Sequence, residues 1–320
     1  MKNSILYYSV GALLYCPANN AGIADSIIQE KFGDKFSLAL CLEDTVNDNC
    51  VEQAENILVS SLYKIYSERC KKKFYLPKIF VRVRYAQQIF TLTEKLGSVS
   101  EIISGFILPK FSLENSKKYI DAVTSVNNLR KKPFYIMPIF ESPSIINLKD
   151  RENILYTLKE KLDAVEDIVL NIRVGGNDLC HMFGFRRSNS QSIHNIKPVA
   201  NIFSDIITVY GMNYVVSGPV WEYYNGDGWD TGLKNELTDD ILNGFVGKTV
   251  IHPKQIEIVN SAYKVSPKNL DDAYSILNWK KDSQKLVSGS IGNERMNEYK
   301  THSNWALKTI MLSEVFGVKD

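Results

Sequence analysis

The sequence predicts a (β/α)8 TIM barrel with extra C-terminal helices, and three observations predict it. Short apolar, β-branched runs alternate with longer amphipathic ones, and no linker rich in Gly, Pro or Ser interrupts them. At 320 residues the chain has room for eight β/α units of roughly 30 residues each, followed by a tail. Charged residues gather just beyond the C-terminal ends of the apolar runs, the positions that a parallel barrel collects on one face.

Taken in order, strands are expected over Ala12 to Cys16, Ser37 to Leu42, Ile79 to Val83, Gly105 to Leu108, Phe134 to Ile139, Ile168 to Val174, Tyr214 to Ser217 and Thr249 to Ile251. Patterns of helical period lie between them, as in Cys50 to Cys70, Leu113 to Leu129, Arg151 to Leu162 and Pro198 to Tyr210. This divides the chain into a barrel domain, residues 1–264, and a helical extension, residues 265–320, that either pads the barrel or reaches a neighbouring subunit. The extension reads as two helices, Asn269 to Val287 and Glu294 to Phe316, broken at Gly289-Ser290-Ile291-Gly292.

Composition bounds the function. The chain is 44% hydrophobic and 23% charged, and no window approaches the ~20 apolar residues of a membrane span. Residues Met1 to Ser9 carry one lysine and a short apolar stretch that runs towards the first strand, a pattern of neither signal peptide nor anchor. With 38 basic and 36 acidic side chains, the net charge of +2 gives no general reason to bind nucleic acid or anionic membrane. Lys71-Lys72-Lys73 reads as a solvated helix end. Five cysteines without a C-x-x-C spacing argue against a disulfide framework or zinc site and for a cytoplasmic setting.

The strand ends carry the chemistry. Strand two ends in Leu42-Glu43-Asp44, strand three in Arg82-Val83-Arg84, strand four in Pro109-Lys110, strand five in Glu141, strand six in Gly175-Gly176-Asn177-Asp178, and strand eight in His252-Pro253. Crowded carboxylates repel unless a cation sits between them, and guanidinium groups beside them suit an anionic ligand. A magnesium ion held by one or two carboxylates, with water and substrate oxygens at its other positions, satisfies both. Glu141 and Asp178 are the expected metal ligands. Glu43 and Asp44 would orient metal-bound water or a basic side chain, and Arg82 would grip a carboxylate or phosphate. Arg82 could equally form a structural ion pair, Lys110 could pack its stem at the barrel rim, and His252 reads first as a strand-end histidine with a structural hydrogen bond. Gly175-Gly176 lacks the third glycine of a dinucleotide fingerprint and reads as a place where backbone approaches a small anion.

Six of these stretches, in order, resemble a known family. Leu42-Glu43-Asp44-Thr45-Val46 is similar to L-E-D-x-V, Arg82-Val83 to the start of R-V-N, Ile107-Leu108-Pro109-Lys110 to V-L-P-K, and Glu141-Ser142 to I-E-T/S. Gly175 to Leu179 is similar to G-x-x-D-L, and Gly247 to Ile256 to G-K-x-x-I-H-P-x-Q-I. The family is the citrate lyase β-subunit-like branch of the HpcH/HpaI aldolases, and the chain most resembles its C–C bond lyases of the TIM-barrel fold, found in tellurium-resistance gene clusters. The resemblance implies a magnesium-dependent lyase acting next to a carbonyl, with metal on Glu141 and Asp178, substrate on Arg82, support from Glu43 and Asp44, and assembly as a trimer or hexamer.

The chain departs from the pattern at three places. Arg84 stands where the family has Asn, adding a charge that would favour a more anionic or phosphorylated substrate alongside Lys110, Gly175 and Gly176. Met296-Asn297-Glu298 is the nearest match to a C-terminal M-I-D segment that in acyl-CoA-using relatives brings an aspartate to a neighbouring subunit. The stretch Trp221 to Asp230 is rich in aromatics rather than short and acidic, which argues against citryl-CoA or malyl-CoA.

The leading expectation is a lyase acting on an anionic, keto-acid-like or phosphorylated small molecule through a metal-stabilised enolate. The general base is open among Asp44, Glu43, Glu298 and metal-bound water. The alternatives are thioester hydrolysis at the same metal site and a catalytically silent ligand-sensing or scaffold subunit.

Overall fold

The computed structural model describes residues 4–279 and 284–320. A short helix α1 (Ile5–Tyr8), with the Ser4 hydroxyl accepting from the Leu6 N–H, stands where the sequence led directly into a strand. Gly11, at a φ of 58° that an L side chain rarely adopts, turns the chain into β1 (Ala12–Pro17). The remaining barrel strands are β2 (Ser37–Cys41), β3 (Lys78–Arg82), β4 (Ile103–Leu108), β5 (Tyr135–Phe140), β6 (Ile172–Val174), β7 (Val216–Ser217) and β8 (Lys248–Val250). All eight expected strands are present, with β6 and β7 shorter than their apolar runs.

The strands pair in parallel in the order β7-β6-β5-β4-β3-β2-β1-β8. A parallel bridge from Gly218 to Lys248, with the Gly218 N–H donating to the Gly247 carbonyl at 3.0 Å, brings the two ends together. The fold is thus a TIM barrel. Period-two alternation sorts the strand residues into two cores. Leu13, Ala39, Phe80, Ile107, Met137 and Ile139 fill the barrel interior, while Leu14, Leu38, Val81, Phe106 and Ile136 face the surrounding helices.

Those helices are α2 (Ile23–Ile28), α3 (Val51–Lys71), α4 (Gln87–Leu96), α5 (Ser116–Asn127), α6 (Leu148–Asp163), α7 (Gly176–Met182), α8 (Lys197–Tyr210), α9 (Trp229–Leu242) and α10 (Lys254–Ala262). Their starts follow local chemistry. Asn147 accepts the Lys149 N–H to cap α6, and Pro198 occupies the first turn of α8, where its missing N–H costs nothing. Helix α3 ends at Lys71 with Arg69 in its last turn, where cations oppose the negative end of the helix dipole.

The extension differs from the expected helix pair. Helix α11 (Pro267–Leu277), capped by Ser266, stops ten residues short of Val287, and Lys280 to Ser283 of that expected helix lie outside the described residues. An antiparallel hairpin follows, β9 (Val287–Gly289) and β10 (Met296–Glu298), and then α12 (Tyr299–Phe316). The hairpin is fastened to α11 by Asp272, which accepts from Arg295 Nε at 2.8 Å and from Asn297 Nδ2 at 3.0 Å. Helix α12 returns to the N-terminal end of the strands. Phe316 packs on Tyr263 with ring centroids 5.2 Å apart, beside Gly11, and Lys308 donates to the Gly244 carbonyl.

Candidate active site

The C-terminal strand ends surround a cavity of about 410 Å3 lined by Asp44, Arg82, Glu141, Gly175, Gly176 and Asp178, together with Tyr15, Arg173, His181 and Thr249. Six strands and the loops after them deliver these groups, as barrel geometry requires. Glu43 and Lys110 stand just behind this lining, bonded to it.

Arg82, the last residue of β3, is buried and ties three acids together. Its Nη2 lies 2.7 Å from Glu43 Oε2, 2.9 Å from Asp44 Oδ2 and 3.0 Å from Glu141 Oε1. Burial alone would lower its pKa, but the Glu141 and Glu43 carboxylates hold it well above the usual arginine value. Lys110 closes the cluster from the other side. Its ammonium pairs with Glu43 and, at 3.1 Å, with Asp44, and its backbone N–H donates to Glu141 Oε1 at 3.1 Å. Lys110 has a φ of 48°, a left-handed backbone uncommon outside glycine, which aims that N–H at Glu141.

The acids differ in charge state. Burial lifts Glu43, and its contact with Asp44 adds to this against the pull of Arg82. Burial also acts upward on Asp44, but the Glu43 hydrogen bond, Arg82 and Lys110 outweigh it and hold the carboxyl at about 2. Glu141, only 3% exposed, is pushed by burial up to about 8, with Asp178 adding to the rise and Arg82 opposing it. A buried carboxylate facing a second carboxylate across a cavity is the environment that a bound cation relieves. Two carboxylates with open positions suit magnesium, which commonly keeps water and substrate oxygens as its other ligands. No group of three or more His, Cys, Asp or Glu side chains able to hold a metal occurs among the described residues.

The two glycines make room for their neighbours. A Cβ on Gly175 would lie 2.1 Å from Glu141 Oε2, so the Glu141 carboxylate packs against this backbone at the cavity wall. On Gly176 it would lie 2.6 Å from Ile193 Cδ1 and 2.9 Å from Pro219 Cβ, a packing constraint. Arg84 departs from its expected place. Its Nε donates to the Leu42 carbonyl at 2.6 Å and its Nη2 to the Glu43 carbonyl at 3.1 Å, with further bonds to Val46 and Asp48. The guanidinium pins the loop after β2 and lies outside the cavity lining. Glu298 sits on the C-terminal hairpin, its Oε2 accepting from Thr301, and is likewise outside the lining.

The last strand ends build the rim. His252 stacks on Tyr224 at 4.8 Å, and its Nδ1 accepts the Lys254 N–H. Gln255 Oε1 accepts from the Ile251 and His252 N–H groups, while its Nε2 donates to the Trp221 and Tyr223 carbonyls at 3.1 and 2.8 Å. The aromatic loop is therefore anchored, with Trp221 buried and its indole N–H on the Trp229 carbonyl.

Sequence reasoning missed a buried ion cluster on the outer face of β8. Lys248 lies 2.6 Å from Asp240 and 3.0 Å from Glu236, Arg187 Nε is 3.1 Å from Glu236, and His194 Nε2 is 2.8 Å from Asp240. It also missed Tyr15, Arg173 and Thr249 on the cavity floor. The available signal was an arginine inside the otherwise apolar run Ile172-Arg173-Val174.

A closed β/α barrel whose strand ends bring acids and buried arginines around one small cavity has the build of a TIM-barrel enzyme. The chain belongs to the family of C–C bond lyases of the TIM-barrel fold, whose model matches residues 4–318. No protein of curated function matches it in sequence. Among solved structures it resembles CitE from Mycobacterium tuberculosis in complex with magnesium, acetoacetate and coenzyme A, at 18% identity and a TM-score of 0.62 over 97% of this chain and 99% of that one. It also resembles a citrate lyase from Burkholderia xenovorans, at 13% identity and a TM-score of 0.71 over 97% and 93% of the two chains. The citrate lyase β subunit of M. tuberculosis with oxaloacetate and magnesium matches at 18% identity and a TM-score of 0.51 over 81% of this chain and 99% of that one. At such identities the likeness carries the fold alone. No helix among the described residues is long and apolar enough to cross a membrane.

Proposed function

We propose that this chain is a magnesium-dependent carbon–carbon lyase for a small anionic, keto-acid-like molecule. The observation that supports it most is the buried Glu141 carboxyl, raised to about 8 with Asp178 across the same cavity. Glu141 and Asp178 would hold the ion, which supplies Lewis-acid stabilisation of the negative charge that develops when a bond beside a carbonyl breaks. Arg82 and the Lys110 N–H fix the Glu141 carboxylate in place. Of the candidate bases Glu43, Asp44 and Glu298, Asp44 is the one that lines the cavity, so it would take a hydroxyl proton as the bond electrons pass to the carbon next to the carbonyl. The same proton then goes to that carbon. Magnesium-bound complexes of the structural relatives with acetoacetate or oxaloacetate are consistent with this substrate class. A trimer or hexamer follows from the family resemblance and is checked by light scattering.

The test is a magnesium titration by calorimetry of the parent, Glu141→Ala and Asp178→Ala proteins, with folding verified by circular dichroism. Each substitution is expected to weaken magnesium at least tenfold, the usual scale for losing one ligand group at a site with few. Parent-like binding by both folded variants sinks the metal assignment. A ligand-sensing, catalytically silent subunit is the second reading, favoured because Arg82 is already engaged by three carboxylates. Magnesium and keto-acid binding without turnover of any keto acid, phosphorylated metabolite or acyl-CoA would select it.

A further inference from the structure

The cavity contains two buried arginines, and their surroundings differ in one respect. Arg82 meets three carboxylates. Arg173, in β6 and 1% exposed, meets none among the described residues. Its Nη2 donates to Thr249 Oγ1 at 2.6 Å, and its buried Nη1 has no hydrogen-bond partner. The buried Tyr15 hydroxyl lies close enough to the Arg173 guanidinium to interact with it but makes no hydrogen bond of good geometry. Burial raises the Tyr15 pKa and keeps its phenol neutral, so it supplies no counter-charge. A guanidinium cannot shed its proton to escape such a site, and burying it without an anion is costly.

Strand register fixes the direction of these groups. Arg173 pairs with Ile139, and Thr249 with Leu13, both of which belong to the barrel interior. Paired residues of parallel strands share a face, so Arg173 and Thr249 point inward beneath the cavity that they line. Gly175, against which Glu141 lies, follows β6 and is two residues beyond Arg173, so the Cα of Arg173 lies about 7 Å back along the chain at ~3.3 Å per residue. That span matches a short chain of a few carbons.

We propose that Arg173, with Thr249 and Tyr15, is the carboxylate-binding floor of this cavity, so that the substrate is a short molecule with a carboxylate at its buried end and the reacting carbonyl at the Glu141–Asp178 end. The substrate orientation rests on the function proposed above, whereas the anion site itself requires no metal. Arg82 then positions Glu43, Asp44 and Glu141, and an anion brought to it would face those acids. The cavity prefers a planar carboxylate because Nη1 and the Tyr15 hydroxyl offer two donors to two oxygens.

The experiment measures thermal unfolding in buffer containing a chelator, with succinate and, separately, inorganic phosphate as probes. A ligand of the native state raises its melting temperature by mass action. Succinate is expected to raise that of the parent, and phosphate to raise it less. Arg173→Met, close in volume and uncharged, is expected to bind succinate at least tenfold more weakly while melting at or above the parent temperature without ligand. Thr249→Val is expected to weaken succinate and, because it takes the acceptor from Arg173 Nη2, to lower the ligand-free melting temperature as well. The proposal is overturned if the parent responds to neither probe, if both variants respond as the parent does, or if Arg173→Met melts well below the parent, which would make the guanidinium a structural group. Magnesium affinity of Arg173→Met, titrated separately, should equal that of the parent. Loss of magnesium binding by the parent itself would remove the lyase reading and leave the anion test standing.

Discussion

Gly175 shows how closely one residue can be tied to the chemistry. Its missing side chain leaves room for Glu141, and a methyl group there would sit 2.1 Å from Oε2 and 2.3 Å from Cβ of that glutamate. A contact this short must move something, and Glu141 is held by Arg82 and the Lys110 N–H. Gly175→Ala is therefore expected to destabilise the protein by about 1–3 kcal/mol, the range for overpacking a filled site. It should also weaken magnesium by displacing the proposed ligand Glu141. Urea unfolding and a magnesium titration check both, and parent-like values in both would show that Glu141 is free to relocate. The strand-end acids were legible in the sequence because each interrupts an apolar run where barrel geometry collects side chains. Arg173 and Tyr15 were not, because they lie within runs rather than at their ends, and a single polar residue in a strand does not declare which face it takes. Arg84 misled for the opposite reason. Two residues beyond Arg82, it belongs by alternation to the same face, but the loop carbonyls of Leu42, Glu43 and Val46 capture its guanidinium.

At the scale of elements, the ion cluster between α9 and β8 fixes the wall on which the rim loop rests. Lys248 is the charge that Glu236 and Asp240 share in a fully buried position. Removing one partner of such a group leaves the others uncompensated, so Lys248→Met is expected to cost about 3–5 kcal/mol by urea unfolding. The acid limb carries a second signature. Burial works against ionised Asp240, yet Lys248 and His194 outweigh it and hold its pKa below the usual 3.8. The unfolded chain therefore binds the proton more readily, and this stabilisation is present above pH 3.8 and lost as pH falls through the lower folded value. Without Lys248 the folded pKa rises, so acid unfolding followed by circular dichroism should begin at higher pH. An unchanged acid midpoint would count against Lys248 as the main cause. The G-K and H-P-x-Q signatures were visible in the sequence only as tokens of a family. Their physical content, Lys248 neutralising α9 and Gln255 tying β8 to the aromatic loop, requires knowing which elements are neighbours. The β9–β10 hairpin was illegible for a simpler reason, since strands of three residues are too short to show an alternation.

For the whole molecule, the question is whether the C-terminal segment is an appendage or part of the barrel. The sequence divides the chain after residue 264, where β/α alternation stops. Contacts cross that line at the N-terminal end of the strands. Phe316 lies on Tyr263 and beside Gly11, the Lys319 N–H donates to the Val265 carbonyl at 2.8 Å, and Lys308 reaches Gly244 just before β8. Met311, Leu312 and Val315 of α12 pack on the same hydrophobic core as the barrel helices. Uncovering that end would expose apolar surface around Tyr8 and Tyr263, at about 25 cal/mol for each Å2, and remove the lid over β1 and β8 where the barrel begins and closes. A protein truncated after Lys264 is therefore expected to lose cooperative unfolding and to bind the dye that marks exposed apolar surface, even though the strand-end acids and the arginines of the cavity remain in its sequence. A truncated protein that melts cooperatively near the parent temperature would instead make the segment separable, as the division at 264 implies. Magnesium binding by the truncated chain sharpens the distinction, because the proposed ligands, Glu141 just past β5 and Asp178 in α7, lie at the opposite end of the barrel from α12 and can respond only through the closure of the barrel itself.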